Sequence, residues 1–328
     1  MYILNQKMNN YEKWNNLVKW ITNNHGSVDG ITMNNERKIL ATKQLTNNHQ
    51  IMKIPDKLHI NGGIFNQKTS NMVATMAHLL LELEKGNKSF YYPYLSILPN
   101  DFDNHPLNII NNKNIETFIK LSPDFVHYII EMKKSFTSCS KELKLLGFKN
   151  DNTFMFCFLI IQTRAWITND TVSLIPCMDL LEHRNFKSNL GLMKKHNFIM
   201  TTNDKYEIDE EVYDNYGFKD NISLLAQYNF LADNPILPVD LSSTPSLNQQ
   251  LLEIRKDCHS YPFFDLDGPN HCLILSFNLL GLDYKEILSE SYDKIKTLNL
   301  EKEERDDDLI IMLKKALKQK KEILEKMI

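Results

Sequence analysis

The side chains of this 328-residue chain that could take part in chemistry gather in a few short runs. Thr163-Arg-Ala-Trp carries a guanidinium, a planar fork of donors suited to paired hydrogen bonds with a carboxylate. Its partner is either a ligand or, through an internal salt bridge, Asp179 in Leu174-Ile-Pro-Cys-Met-Asp-Leu-Leu-Glu-His. That second run ends at His183, which as a lone residue reads as a core histidine with satisfied hydrogen bonds rather than a metal ligand. Tyr216-Gly217 lies in Asp209-Glu-Glu-Val-Tyr-Asp-Asn-Tyr-Gly-Phe-Lys-Asp-Asn. By itself it reads as a tyrosine closing a strand at a turn, with Gly217 supplying backbone freedom. Cys258-His259 and His271-Cys272 invite a zinc reading, but adjacent ligands point in awkward directions and the spacing fits no usual site, so no metal is expected.

The elements that must position these residues follow from periodicity. Tyr11–Asn23 puts Trp14, Leu17, Val18 and Ile21 at helical spacing, and Met72–Lys85 does the same before Gly86, a plausible C-cap. Lys38–Thr42, Gln50–Pro55, Val172–Pro176 and Phe198–Thr202 read as strands, and Leu224–Phe230 as a short helix. Asn114–Lys149 is mostly helical, and the apolar run Phe154–Trp166 is either a buried helix or a strand. From Ser246 onward the pattern is helical, ending in Asp306–Ile328 with Leu309, Ile310, Leu313, Ala316 and Leu317 on one face. Strands and helices cluster instead of alternating, which predicts an α+β fold. The Lys-rich face of the last helix is followed by Glu322 and Glu325 and reads as a solvated face, not a nucleic-acid site.

Bulk properties narrow the classes. Hydrophobic residues make up 42% and charged residues 24%, ordinary values for a globular protein able to bury a core. A net charge of −3 gives no broad electrostatic grip on nucleic acid. Apolar runs such as Phe154–Ile161 fall far short of the roughly 20 residues that cross a bilayer, and Met1–Met8 lacks the apolar core of a signal peptide. Five cysteines without a CxxC pair fit reduced thiols. A cytoplasmic protein, or a nuclear one, is expected, without membrane or nucleic-acid partners.

Three runs in order resemble SET-domain proteins of the rubisco lysine methyltransferase and actin-histidine methyltransferase group. Thr163-Arg-Ala-Trp is similar to the family's TRA-type motif and Leu174–His183 to its LIPxxDLxNH. Asp209–Asn221, continued by Leu224-Leu-Ala-Gln-Tyr-Asn-Phe, is similar to GEEVYxxYGxxxNxxLLxxYGF. Weaker likenesses lie upstream in Val28-Asp-Gly, Ile54-Pro-Asp-Lys-Leu and Tyr92-Pro-Tyr-Leu-Ser-Ile-Leu-Pro. The resemblance runs from about Trp14 to Pro235. It implies short SET strands with a knot-like crossing, a helical insertion and an all-helical C-terminal substrate-binding domain. The expected boundaries are 1–62 and 151–235 for the two parts of the SET domain, 63–150 for the insertion and 236–328 for the C-terminal domain.

The chemistry implied is methyl transfer from S-adenosyl-L-methionine to a lysine or histidine of a protein substrate, by a monomer. Carried over by position, Tyr216 is the catalytic tyrosine. Arg164 lies near the cofactor carboxylate, and Asp179, Leu180, Leu181, Glu182 and His183 lie along the cofactor. Tyr228 and Phe230 pack on its adenine side, and Asn221 braces the crossing. Lys38 and Leu40 fall in the first cofactor motif, where the chain departs from the pattern: Glu36-Arg-Lys replaces GxG, and Leu40 stands where some relatives have arginine. A side chain can obstruct the close backbone approach that glycine permits. Glu182 replaces the asparagine of the Asn-His pair, losing a donor and adding a charge. It could pair with the cofactor's positive groups, be buried at a cost, or swing to solvent and bond His183 or Arg184. These departures favour the alternative function, a non-catalytic SET-fold interaction module.

Overall fold

The structure, a computed structural model, describes residues 8–65, 69–149, 151–168, 170–185, 189–238, 263–265, 267–270, 273–274, 284–304 and 306–327. Its contacts divide the chain into two compact units, 1–103 with 132–215, and 104–131 with 216–328. The fold is α+β, a set of small sheets among helices.

In the first unit, helix α1 (Asn10–Asn23) opens with a capping box. Asn9 accepts from the Glu12 N–H at 2.8 Å, and Glu12 reaches back to the Asn9 N–H at 2.9 Å. Its Trp14, Leu17 and Ile21 are buried, the stripe expected from their spacing. Strands β1 (Ser27–Val28), β2 (Ile31–Met33), β3 (Ile39–Ala41), β4 (Gln50–Pro55) and β5 (Ile60–Asn61) follow. Helix α2 (Asn71–Lys85) is capped by Ser70 and stopped by Gly86 at φ +56°, a conformation that favours glycine. A short α3 (Tyr92–Leu95) buries Tyr94 and Leu95.

Helix α7 (Asp151–Arg164) settles the ambiguity of Phe154–Trp166. The run is helical to Arg164, and only Trp166–Thr168 (β6) is a strand. Fourteen residues are too long for one strand, and Phe154, Cys157, Phe158, Leu159, Ile160 and Ile161 are all buried, so the helix is apolar on every side because it is enclosed. Strands β7 (Thr171–Leu174), β8 (Glu182–His183), β9 (Leu190–Lys194), β10 (Asn197–Thr201) and β11 (Tyr213–Asp214) complete this unit.

The largest sheet has the order β1-β4-β10-β9, all antiparallel, with β4 buried at Ile51, Met52, Ile54 and Pro55. β5-β7-β6 and β2-β3 are also antiparallel, whereas β8 and β11 pair in parallel, Glu182 opposite Tyr213 and His183 opposite Asp214. The β2–β3 hairpin is tied to the segment before β11: Ala41 N–H donates to Glu210 O at 2.9 Å, and Val212 N–H to Ile39 O at 2.8 Å. Residues far apart in sequence are thereby brought side by side.

The second unit holds α4 (Pro106–Ile109), α5 (Ile115–Leu121) and the start of α6 (Pro123–Leu145). It continues with α8 (Asn221–Tyr228), β12 (Leu237–Pro238), β13 (Phe263–Asp265), β14 (Gly268–Pro269), α9 (Tyr284–Ile295) and α10 (Asp308–Met327). The helical pattern expected from Ser246 onward is corrected at 263–269, where the β13–β14 hairpin pairs with β12. Asp265 explains it: its carboxylate accepts from the N–H groups of Asp267 and Gly268 at 2.8 and 3.1 Å, and Gly268 sits at φ +133°. That is turn chemistry, local and independent of hydrophobic period. Cys258, His259, His271 and Cys272 lie outside the described residues; Cys139, Cys157 and Cys177 are buried free thiols.

Helix α10 buries Leu309, Leu313, Ala316, Leu317, Ile323 and Leu324. Lys314 is buried too, bonded to Asp306 at 2.8 Å and Glu301 O at 2.7 Å. Asn221, buried at the start of α8, bonds both ways with Ala232, Nδ2 to O at 2.9 Å and N–H to Oδ1 at 2.8 Å, and donates to Gln319 Oε1 at 2.7 Å. Replacing Asn221 by Ala strands the Ala232 peptide and is expected to cost about 2–4 kcal/mol by urea unfolding. A cost below about 0.5 kcal/mol would show that water replaces the amide.

Candidate active site

Arg164 ends α7, and its side chain turns onto the 3-10 turn Met178–Leu180. Nη1 donates to Asp179 O at 2.7 Å and lies 3.5 Å from the carboxylate Oδ2. The Asp179 side chain is 0% exposed and accepts from the Tyr94 hydroxyl at 2.9 Å. Burial raises the Asp179 pKa from the ordinary carboxylate value, and Arg164 and the Tyr94 hydrogen bond pull it back. The internal salt bridge weighed for Arg164 is therefore formed. It leaves donors and acceptors over: Arg164 Nε and Asp179 Oδ1 are buried without a hydrogen-bond partner. A guanidinium with a spare buried N–H is able to hold a further oxygen.

The degraded glycine motif forms a tight turn before β3, in which Asn34 Oδ1 accepts from the N–H groups of Glu36 at 3.0 Å and Lys38 at 2.9 Å. Only the middle residue, Arg37, has a left-handed backbone, at φ +71°. Glu36 and Lys38, at the two glycine positions, lie outside that region, so neither position needs glycine for its own dihedral angles. The Lys38 side chain is turned onto Glu211, Nζ to Oε2 at 3.1 Å, and Tyr213 donates its hydroxyl to the same oxygen at 2.9 Å. Leu40 forms a bridge pair with Glu211 in the backbone.

Glu182 opens β8 opposite Tyr213. The residue is exposed overall, yet partial desolvation of its carboxyl, then the Glu211 charge, raise its pKa, while Lys38 and Arg37 lower it. It is neither deeply buried nor turned to Arg184, which lies over the Tyr213 ring at 5.0 Å. Leu180, Leu181 and His183 are buried, and Arg184 N–H donates to Asp214 O at 2.9 Å. The Asp214 carboxyl is buried beside them, and desolvation pushes its pKa up to about 7.

The remaining predicted residues belong to the second unit and meet one another there. Tyr216 lies 5.0 Å from Tyr228 and 6.2 Å from Phe230 between ring centroids, with Tyr228 and Phe230 at 6.0 Å. Aromatic rings at such separations attract by edge and offset contacts. Gly217 is at φ +100°, the freedom expected of it. The carboxyl end of α8 is held by His105, whose Nε2 lies 3.0 Å from Gln227 O. Burial pushes the Tyr228 phenol up to about 12.

Three residues escaped the motif reading. Tyr94 and Glu211 stood inside recognised runs without a role, because nothing local shows that they reach Asp179 and Lys38. Arg37 was passed over as part of a lost glycine motif, although a positive charge between those two positions was visible.

No protein-family model and no curated protein matches the chain. Solved structures do. The SET domain of LSMT bound to lysine and AdoHcy is similar at 15% identity and TM-score 0.61, over 96% of this chain and 90% of that one. Rubisco LSMT bound to AdoMet is similar at 16% identity and TM-score 0.62, and Rubisco LSMT bound to sinefungin and monomethyllysine at 15% and 0.62, each with the same coverage. The chain has the SET-domain fold of these proteins, over nearly its whole length. No described helix is long and apolar enough to cross a membrane.

Two predictions follow from the geometry. Arg164→Met leaves Asp179 a buried, unpaired charge and is expected to cost about 3–5 kcal/mol by urea unfolding, part of it restored when Asp179→Asn is added; strict additivity would refute the coupling. Asp214 binds its proton more tightly folded than unfolded, so the stability this confers is fully present below about pH 4 and is lost as pH rises through about 7. The full swing is on the order of 4 kcal/mol. Asp214→Asn should therefore gain stability relative to wild type between pH 5 and 8, and a flat difference would count against it.

Proposed function

We propose that this chain is an S-adenosyl-L-methionine-dependent protein N-methyltransferase acting on a lysine or a histidine of another protein. The observation that carries the reading is that the SET fold spans 96% of the chain while Tyr216, the tyrosine of the family pattern, keeps its hydroxyl on a ring held by Tyr228 and Phe230. The solved relatives are described with AdoMet, AdoHcy, lysine or monomethyllysine bound, which supports the same cofactor here.

The residues fit such a cofactor. Arg164 has a buried, unpartnered N–H for a carboxylate, and Glu182 offers an anion for an ammonium. Within the first unit, Arg164, Asp179–His183 and the Lys38–Leu40 turn would hold the amino-acid and nucleoside parts; a packing role for Tyr228 and Phe230 rests on the family pattern alone. When bound, the cofactor supplies an electrophilic methyl group on a sulfonium. The chain's own task is then alignment and water exclusion. The Tyr216 hydroxyl orients the acceptor nitrogen, whose lone pair must be free. A lysine, with an ordinary pKa near 10.4, has to lose a proton first, while a histidine is often neutral already. The substrate is a protein, and the enzyme works as a monomer.

Calorimetric titration with S-adenosylhomocysteine is expected to show saturable binding in the micromolar range, about −8 kcal/mol. Tyr216→Phe should bind it within about threefold of wild type, yet transfer labelled methyl groups to protein in a cell extract about 100-fold more slowly. Absence of binding at millimolar concentration by the folded protein would overturn the enzyme. It would leave the SET-fold interaction module, which the side chains at Glu36 and Lys38 favour.

A further inference from the structure

Arg37 is a charge without a counter-ion. Its guanidinium is half-buried and donates Nη2 to Ile97 O at 2.8 Å, but among the described residues it makes no ion pair. A guanidinium has five donors, and a partly desolvated one gains from a facing anion. Its neighbours do not neutralise it. Arg164 and Lys13 feel its charge as like charges, against Asp179 and Glu182 as opposite ones. Asp179 is already taken by Arg164 and Tyr94, and Glu182 shares its surroundings with Glu211 and Lys38. Lys13, Arg37, Lys38 and Arg164 are therefore four cations for the three carboxylates Asp179, Glu182 and Glu211, beside the spare buried N–H of Arg164. Two guanidiniums with donors to spare and a surplus of positive charge are built to take a small planar anion, and a carboxylate matches their fork geometry.

We propose that Arg37 is a second carboxylate-binding guanidinium, which with Arg164 takes the carboxylate at the amino-acid end of the cofactor. The inference rests on the methyltransferase reading and adds to it a residue that the family's motif does not contain. It also gives the two departures in this region one meaning. Where the pattern relies on glycine backbone brought close to the ligand, this chain relies on charge: Arg37 stands between the two glycine positions, and its guanidinium, bonded to Ile97 O three residues beyond the Tyr94 that binds Asp179, is within electrostatic reach of Arg164.

The test compares two nucleosides that differ in the amino-acid end alone. S-adenosylhomocysteine carries the carboxylate; 5′-methylthioadenosine does not. Both are titrated by calorimetry into wild type, Arg37→Met and Arg37→Lys, each checked for a cooperative thermal melt. Arg37→Met is expected to weaken S-adenosylhomocysteine about 10- to 100-fold and to leave 5′-methylthioadenosine within about twofold. If Arg37→Met does not fold, Arg37→Lys, which keeps the charge but loses the fork, carries the comparison with an expected loss of about 10-fold for S-adenosylhomocysteine alone. Unchanged S-adenosylhomocysteine affinity in either folded variant would overturn the proposal while leaving the methyltransferase reading standing. Equal weakening of both nucleosides would also overturn it, showing that Arg37 only shapes the turn through Ile97. Failure of wild type to bind S-adenosylhomocysteine would remove the cofactor reading and this inference together.

Discussion

A carboxylate with no exposed surface, Asp179, organises the first unit. Placing it there is costly unless its charge is matched, and the match comes from two elements far apart in sequence. Arg164 reaches it from the end of α7, and Tyr94 from the short helix α3. The turn that carries Asp179 is thereby pinned between them, and β8 leaves it with Glu182 outward and His183 inward. The backbone at Cys177 accepts φ +76° to enter that turn, a conformation a non-glycine residue adopts only where its surroundings hold it. The pair is not simply a brace, since each member keeps one buried polar atom unused.

Beside it lies a second electrostatic group with the opposite character. Lys38, Glu211, Tyr213 and Glu182 lie partly open to solvent, and their attractions are correspondingly weaker and more adjustable. Arg37 is half-buried and is coupled electrostatically to Asp179 of the first group and Glu182 of the second, with an ion pair to neither. Around Glu36, Arg37 and Lys38 the chain thus carries charged side chains of both signs within a few residues.

Much of this was legible in the chain. The ordered runs Thr163–Trp166, Leu174–His183 and Asp209–Phe230 point to the SET fold, and the solved structures share that fold. Helical period located α1 and α10 because each buries one stripe, while α2, buried almost all round, was marked by its length and by Gly86. The same method mistook β13 and β14 for helix, since a two-residue strand is too short to display a period and its turn is governed by Asp265 and Gly268. It also left Phe154–Trp166 open, since a segment enclosed on all sides shows no polar face to reveal its period.

What the sequence by itself determined was the inventory: which residues could act, in which order, with Tyr216 intact and the glycines of the first motif gone. The pattern of residue types is a local property, and local chemistry writes it directly into the chain. What only the tertiary structure decided was the pairing of charges. Arg164 with Asp179, Lys38 with Glu211, Tyr94 with Asp179, and Arg37 without an ion pair among the described residues are all outcomes of long-range folding. Whether a charge is satisfied depends on its desolvation and on what stands within a few ångströms, and neither quantity exists until distant segments are packed together.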